Sequence, residues 1–341
     1  MSTESVTINA PGTPEFTEIK ANSENREVVL EVRHLEKYFG RRRVIADASF
    51  DVYAGEIFGF LGPNGAGKTT TIKMILGFLF PDSGEIRIMG HDLRTEYEKA
   101  LACVGGIVEN PDMFRDFSGL ENLKMYADLH DGVTRERINE VVRLVGLEKR
   151  IRDKVRKYSL GMKQRLGVAQ SILHKPKLLS LDEPTNGLDP AGVKELRNML
   201  RKMADEEQIA VFVSSHMLAE MDLMCDRVCI IDKGVIKGVM SVEELRHAGG
   251  NEREFNYTLA GAPQEQALEI LRGLGLSPSP ASTTDGDDSS FTVSVRMDRS
   301  RLAEVNTALI SAGVSVLTVA ETNRTLEDVF MAVTEGGGTI E

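Results

Sequence analysis

No uncharged apolar run in the 341-residue sequence reaches the roughly 18 residues that a membrane-spanning helix requires. Any membrane role is therefore expected to be peripheral. Positive charge is not in excess either. The formal net charge is -11, which argues against a broad basic surface for nucleic acid. It does not exclude phosphate, because backbone N–H groups and one lysine suffice to bind it. Three cysteines, Cys103, Cys225 and Cys229, are too few for a disulfide framework in a chain of this size and fit a reducing cytoplasm. The Cys225/Cys229 spacing matches one helical turn, but no His or Cys nearby completes a metal set, and "RVCIID" reads as a buried strand. Residues 1–27 are polar, with scattered Pro and Glu and no apolar segment of a signal peptide, so a disordered tail is expected there. Internal repeats and coiled-coil heptads are absent as well.

What is present is an ordinary globular balance, 41% hydrophobic and 27% charged, long enough for two domains and at least one substantial core. "VVLEVRHLEKYF" alternates like a strand from Val28. "GEIFGFLGP" runs from an apolar strand into a glycine-rich turn, and "GKTTTIKMILGF" continues as a helix. "GEIRIMG" reads as another strand. Residues 118–130 and 134–146 have helical periodicity with polar starts, and a helix opening near Ser159 runs to about His174. "LLSLDE", "IAVFVSS", "VCIID" and "VIKGVM" follow as strands, the last two around a turn at Lys233-Gly234, with a helix over 190–206. This alternation predicts an α/β domain over residues 28–248, with a largely parallel core sheet and a helical insert at about 110–175. Residues 249–341 read as strand 254–259, helix 264–273, strand 291–296, helix 299–311, strand 313–320 and helix 325–334. That order predicts a small α+β domain without Cys, His or a glycine-rich turn before a helix.

The chemistry lies in the first domain. "GPNGAGKT", residues 62–69, stands between a strand and a helix as a phosphate-binding loop. Its four specified positions arise by chance in a chain this long about once in a hundred. Gly62, Pro63, Asn64, Gly65, Ala66 and Gly67 let the backbone wrap phosphate, Lys68 reaches the terminal phosphates, and Thr69, with Thr70 beside it, offers a hydroxyl for magnesium. "LLSLDEP" supplies two carboxylates at the end of a buried strand. Asp182 is placed to hold magnesium, through a water or beside Thr69, and Glu183 to polarise a water for attack on a γ-phosphate. "YSLGMKQRLGVAQ", residues 158–170, opens a helix capped by Ser159, with Gly161 in the first turn and no acidic residue there; such a start can receive an anion.

With these spacings the chain resembles the ATP-binding subunit of ATP-binding-cassette transporters. The resemblance covers about residues 28–248, and the expected fold is the P-loop NTPase core of such ATPases, with the accessory α+β domain behind it. "YSLGMKQR" matches the signature motif in position, with Leu160 where many members have Gly and Met162 where they have Gln. Similar spellings occur in the exporter branch related to antibiotic-export and lantibiotic-immunity pumps. The resemblance implies that Tyr38 stacks on adenine, that Asp189 in "NGLDP" lies in a loop across a dimer interface, and that His216 in "VSSHML" contacts the γ-phosphate. Gln is common at the end of the strand before the insert, as a magnesium ligand; here "VGGIVENPDMF" places Glu109 there, and a carboxylate remains a competent ligand. "NRTLEDVFMAVT" resembles the ending of accessory domains in the exporter branch.

The implied function is an ATPase motor that binds ATP and Mg2+. Two such subunits, as a homodimer or a pseudo-dimer, would close on the nucleotides and drive a separate polytopic membrane permease from the cytoplasmic face of the cell membrane, with no nucleic-acid partner. Catalysis is assigned to Glu183, His216 and Lys68. Residues 110–121 form the expected docking surface, with Phe114 and Phe117 as its candidate apolar anchors; a half-buried core position is the alternative for each ring. Ribosome-acting and DNA-acting cassettes are disfavoured by the single uninterrupted cassette, and a non-hydrolysing regulator by the presence of both Glu183 and His216. The cargo is not encoded.

Overall fold

The computed structural model describes residues 26–109, 111–247, 252–280 and 290–322. The expected tail up to residue 25 and the helix at 325–334 lie outside them. The described residues divide into two compact units, the first ending at Val242 and the second beginning at Glu243.

The first unit opens with β1 (Val28–Phe39), β2 (Arg42–Tyr53), β3 (Ile57–Leu61), α1 (Lys68–Ile75), β4 (Ser83–Ile88), β5 (His91–Asp92), α2 (Tyr97–Ala102) and β6 (Val104–Ile107). It continues with α3 (Gly119–Ala127), α4 (Arg135–Leu144), α5 (Leu160–Ser171), β7 (Leu178–Leu181), α6 (Pro190–Glu207), β8 (Ala210–Ser215), α7 (Leu218–Met224), β9 (Arg227–Asp232) and β10 (Val235–Ser241), and α8 (Val242–His247) begins at the boundary. One sheet has the order β2-β1-β4-β5 and is antiparallel; the other has the order β10-β9-β3-β8-β7-β6. In the second, all pairs are parallel except β10 on β9.

Strands β3, β7 and β8 are buried at every residue, the pattern of parallel strands covered on both faces. Between the sheets, the Phe50 ring lies 5.6 Å from Phe58, 5.6 Å from Phe60 and 5.8 Å from Phe212. Ile72, Met74 and Ile75 of α1 join that core. The parallel order brings the C-terminal ends of β3, β6, β7 and β8 to one edge, where open sheets bind their ligands.

The helices start where side chains can satisfy their first N–H groups. Ser118 and Glu121 form a reciprocal capping box on α3. Thr134 caps α4, Ser159 caps α5, and Asp189 with Pro190 behind it caps α6. Helix α5 ends at Ser171, three residues short of the expected His174, and a turn leads to β7.

The second unit contains β11 (Glu252–Ala260), α9 (Gln264–Gly273), β12 (Ser279–Pro280), β13 (Ser290–Asp298), α10 (Leu302–Ser311) and β14 (Ser315–Thr322). Its antiparallel sheet has the order β12-β13-β11-β14, a split βαβ arrangement. Phe255, Tyr257, Val293 and Val295 pack with Leu268, Leu271, Val305 and Leu309 from the two helices. Burial raises the Tyr257 phenol to about 12.

Candidate nucleotide-binding site

The phosphate loop joins β3 to α1. Gly65 and Gly67 have φ of 82° and 111°, the left-handed region open to glycine, so that successive N–H groups line a concave turn. Helix α1 has neither a side-chain cap nor an acidic residue in its first turn. Its first N–H groups are thus available to an anion. The loop is braced from both sides. A Cβ on Gly67 would stand 2.4 Å from Ile45 Cδ1, and one on Gly62 would stand 2.3 Å from the Ile231 carbonyl oxygen. The Gly234 N–H donates to the Ala66 carbonyl at 2.9 Å, and the Ala46 N–H donates to the Gly234 carbonyl at 2.8 Å. Pro63, Asn64 and Gly65 are exposed, while Ala66, Gly67 and Lys68 are buried and Thr69 and Thr70 half-buried.

Lys68 Nζ donates to the carbonyls of Gly62 at 2.9 Å and Pro63 at 3.3 Å, and lies 3.2 Å from Glu183 Oε1. Glu183 follows β7 with φ of 45°, a left-handed conformation that costs a non-glycine residue energy and is stored at functional sites. Its other oxygen, Oε2, accepts from His216 Nδ1 at 3.1 Å. Asp182 is 4% exposed. The Ser214 hydroxyl donates to Asp182 Oδ1 at 2.6 Å, and itself accepts from the Glu183 N–H at 2.9 Å. One hydroxyl at the end of β8 therefore fixes both acids. Ser214 is not among the expected site residues; its signal in the sequence is a polar residue at the end of the apolar run "IAVFVSS". The oxygen donors Asp182 and Thr69 suit a hard cation such as magnesium, which is held through one or two carboxylates with phosphate and water completing its shell. Among the described residues no three His, Cys, Asp or Glu converge as a closed metal cage.

Ser159, Gly161 and Asp189 form a second group, apart from Tyr38 and Glu109. Ser159 Oγ accepts from the Met162 N–H at 3.3 Å as the cap of α5, and Asp189 Oδ1 accepts from Gly192 at 2.9 Å as the cap of α6. The two helix starts are neighbours: a Cβ on Gly187 would lie 3.1 Å from Leu160 Cδ2, and one on Gly161 would lie 3.8 Å from Leu188 Cδ2. No hydrogen bond or ion pair joins Ser159 or Asp189 to the phosphate loop among the described residues. Arg165 is turned to Glu195 at 3.5 Å. Tyr38, at the end of β1, is 40% exposed, so it does not fill the core. Its N–H donates to Asp82 Oδ2 at 2.6 Å. Glu109, two residues past β6, has φ of 62° and faces Lys73 at 3.6 Å.

Phe114 and Phe117 pack edge to face, with centroids 6.0 Å apart, and are 55% and 46% exposed. Cys225 and Cys229 are buried, and burial pushes both thiols well above their ordinary range. No helix among the described residues is long and apolar enough to cross a membrane.

The profile of the family described as ABC transporter matches residues 45–186, from β2 through the phosphate loop to the acids after β7. The chain is 43% identical over 308 residues to the uncharacterized ABC transporter ATP-binding protein YdbJ of Bacillus subtilis, covering 90% of this chain and 96% of that protein. It is 35% identical to the bacitracin transport ATP-binding protein BcrA of Bacillus licheniformis, over 92% of this chain and 99% of that one. Among solved structures, cbiO1 of Clostridium perfringens, part of the ABC transporter complex cbiONQ, superposes with a TM-score of 0.60 at 26% identity, over 64% of this chain and 90% of that one. A phosphate loop facing two acids and a histidine, on a sheet of this order, and relatives matched across nine-tenths of the chain place the protein among the ATP-hydrolysing, ATP-binding subunits of ABC transporters.

Proposed function

We propose that this chain is the motor of an exporter and acts as a pair, each nucleotide closed between the phosphate loop of one subunit and the start of α5 in the other. The observation that carries this reading is the separation of the site residues into two groups. Lys68, Asp182, Glu183 and His216 meet at one sheet edge, whereas Ser159, Gly161 and Asp189 gather at the starts of α5 and α6. The exposed start of α5, with no acidic residue in its first turn, suits a phosphate that its own loop does not supply. Exporter function and an antibiotic-like cargo are supported by the similarity to bacitracin and lantibiotic transport proteins.

The residues divide the work. Backbone N–H groups of residues 62–69 and Lys68 hold the phosphates, and Tyr38 offers an exposed ring to the base. Thr69 and Asp182 would hold magnesium, with Glu109 as a further carboxylate. Magnesium, when bound, offsets phosphate charge. Glu183 orients water and accepts its proton, while His216 and Lys68 stabilise charge on the transferring phosphoryl group. Closure of the pair is conveyed through Phe114 and Phe117 to a separate membrane permease, which keeps the motor at the cytoplasmic face.

The test is Ser159→Arg. The variant should fold and bind ADP like the wild type, because a lost N-cap costs only about 0.5–2 kcal/mol, yet lose ATP hydrolysis. Retained turnover would count against a composite site.

A further inference from the structure

Glu109 puts a third carboxylate on the sheet edge that carries Asp182 and Glu183, at a site meant for a polyanion. Register places its backbone: Ile107, the last residue of β6, pairs with Leu181, the last residue of β7. Glu109 and Glu183 thus leave adjacent parallel strands at the same level. The Glu109 backbone is held left-handed, at φ 62°, so its placement is fixed by the fold and not by a freely chosen turn. Its carboxylate lies 3.6 Å from the ammonium of Lys73.

Lys73 is on α1, four residues after Thr69. Positions i and i+4 share one face of a helix, one turn apart. Glu109 therefore rests against the helix face that carries the magnesium hydroxyl, one turn along from it. Lys73 also has no role in the α1 core: its side chain is 41% exposed, and that of Glu109 is 70% exposed, so packing does not explain the pairing.

We infer that Lys73 is a positioning residue for Glu109. It neutralises the added carboxylate while nucleotide enters, a task that a bound metal would take over. This rests on the proposed role of Glu109 toward magnesium. Without Lys73 the free carboxylate repels metal-free nucleotide, and the metal then becomes more strongly required.

The measurement is the dissociation constant of ADP by titration calorimetry, with Mg2+ and with a chelator in its place. The informative quantity is the ratio of the two constants. Lys73→Gln should weaken metal-free ADP binding about two- to fivefold, the range of a solvent-exposed ion pair, and so raise the ratio by the same factor. Lys73→Arg should keep the wild-type ratio. Lys73→Gln combined with Glu109→Gln should return the ratio to that of Glu109→Gln alone. A merely structural role for Lys73 would move the melting temperature and leave the ratio unchanged; that result, or effects of the two substitutions that simply add, would overturn the inference. The reading beneath it fails separately, if Glu109→Gln alone leaves the ratio at the wild-type value.

Discussion

Lys68 Nζ lies 3.2 Å from Glu183 Oε1, while the other oxygen of that carboxylate accepts from His216 Nδ1 at 3.1 Å. The three groups assigned to phosphoryl transfer are thus joined to one another by ion pair and hydrogen bond. Phosphate must compete with Glu183 for the lysine. Glu183→Gln removes the competing charge, so ADP should bind about fivefold more tightly, corresponding to roughly 1 kcal/mol for such a pair. Turnover should fall by about 10²–10⁴-fold, the usual contribution of a general base. Titration calorimetry and a phosphate-release assay read the two effects; weaker ADP binding in the variant would contradict the competition.

His174 links the turn after α5 to the sheet. Its Nε2 donates to the Val104 carbonyl at 2.9 Å, its Nδ1 is buried without a partner among the described residues, and its ring stacks on His130 with centroids 4.5 Å apart. Burial holds the imidazole below its ordinary range, against the Val104 hydrogen bond, with His130 and Arg137 adding to the effect. The sign follows. As pH falls below about 6.5, the unfolded chain takes up this proton first, so the folded state loses stability on the acid side and none above neutrality. Urea unfolding from about pH 7.5 down to pH 5 should show a steeper loss for the wild type than for His174→Gln, whose amide can still donate to Val104. Parallel curves would refute this.

Gly234 has no assigned part in the chemistry, but its N–H holds the Ala66 carbonyl of the phosphate loop, and a Cβ there would stand 2.2 Å from the Val44 carbonyl at φ 81°. Gly234→Ala must therefore shift the turn whose N–H holds Ala66. A loss of about 1–3 kcal/mol is expected from the clash and the strained backbone, seen as a lower melting temperature, together with weaker ADP binding. Stability lost with ADP affinity unchanged would show that the turn does not brace the loop.

Phe114 and Phe117 are exposed enough that replacing both by Ser should change the stability of the isolated chain by no more than about 0.5 kcal/mol each. Copurification with the membrane permease should weaken at least about tenfold if they are its anchors. Unaltered assembly would move the docking surface elsewhere.

The sequence made the site more legible than the scaffold around it. The phosphate loop, the acids after β7 and the cap at Ser159 are local patterns, each written in a few adjacent residues. β2 was not legible, although Ile45, Ala48, Phe50 and Val52 are all buried. Asp47 has φ of 56° and shifts the alternation by one residue between Ile45 and Ala48, which breaks the period of two that marks a strand. The roles of Ser214, Lys73 and Gly234 depend on contacts between distant segments, and no local pattern carries those. The capping role of the Asp189 carboxylate was also hidden behind its place in "NGLDP".

The bracing of residues 62–67 between Ile45, Ile231 and Gly234 has a thermodynamic consequence. A loop of this composition, free in solution, would lose backbone entropy of about 1–2 kcal/mol per residue on closing around a phosphate. Here that ordering is completed when the chain folds, so nucleotide arrives at a cradle already shaped and need only exchange ion-pair partners with it.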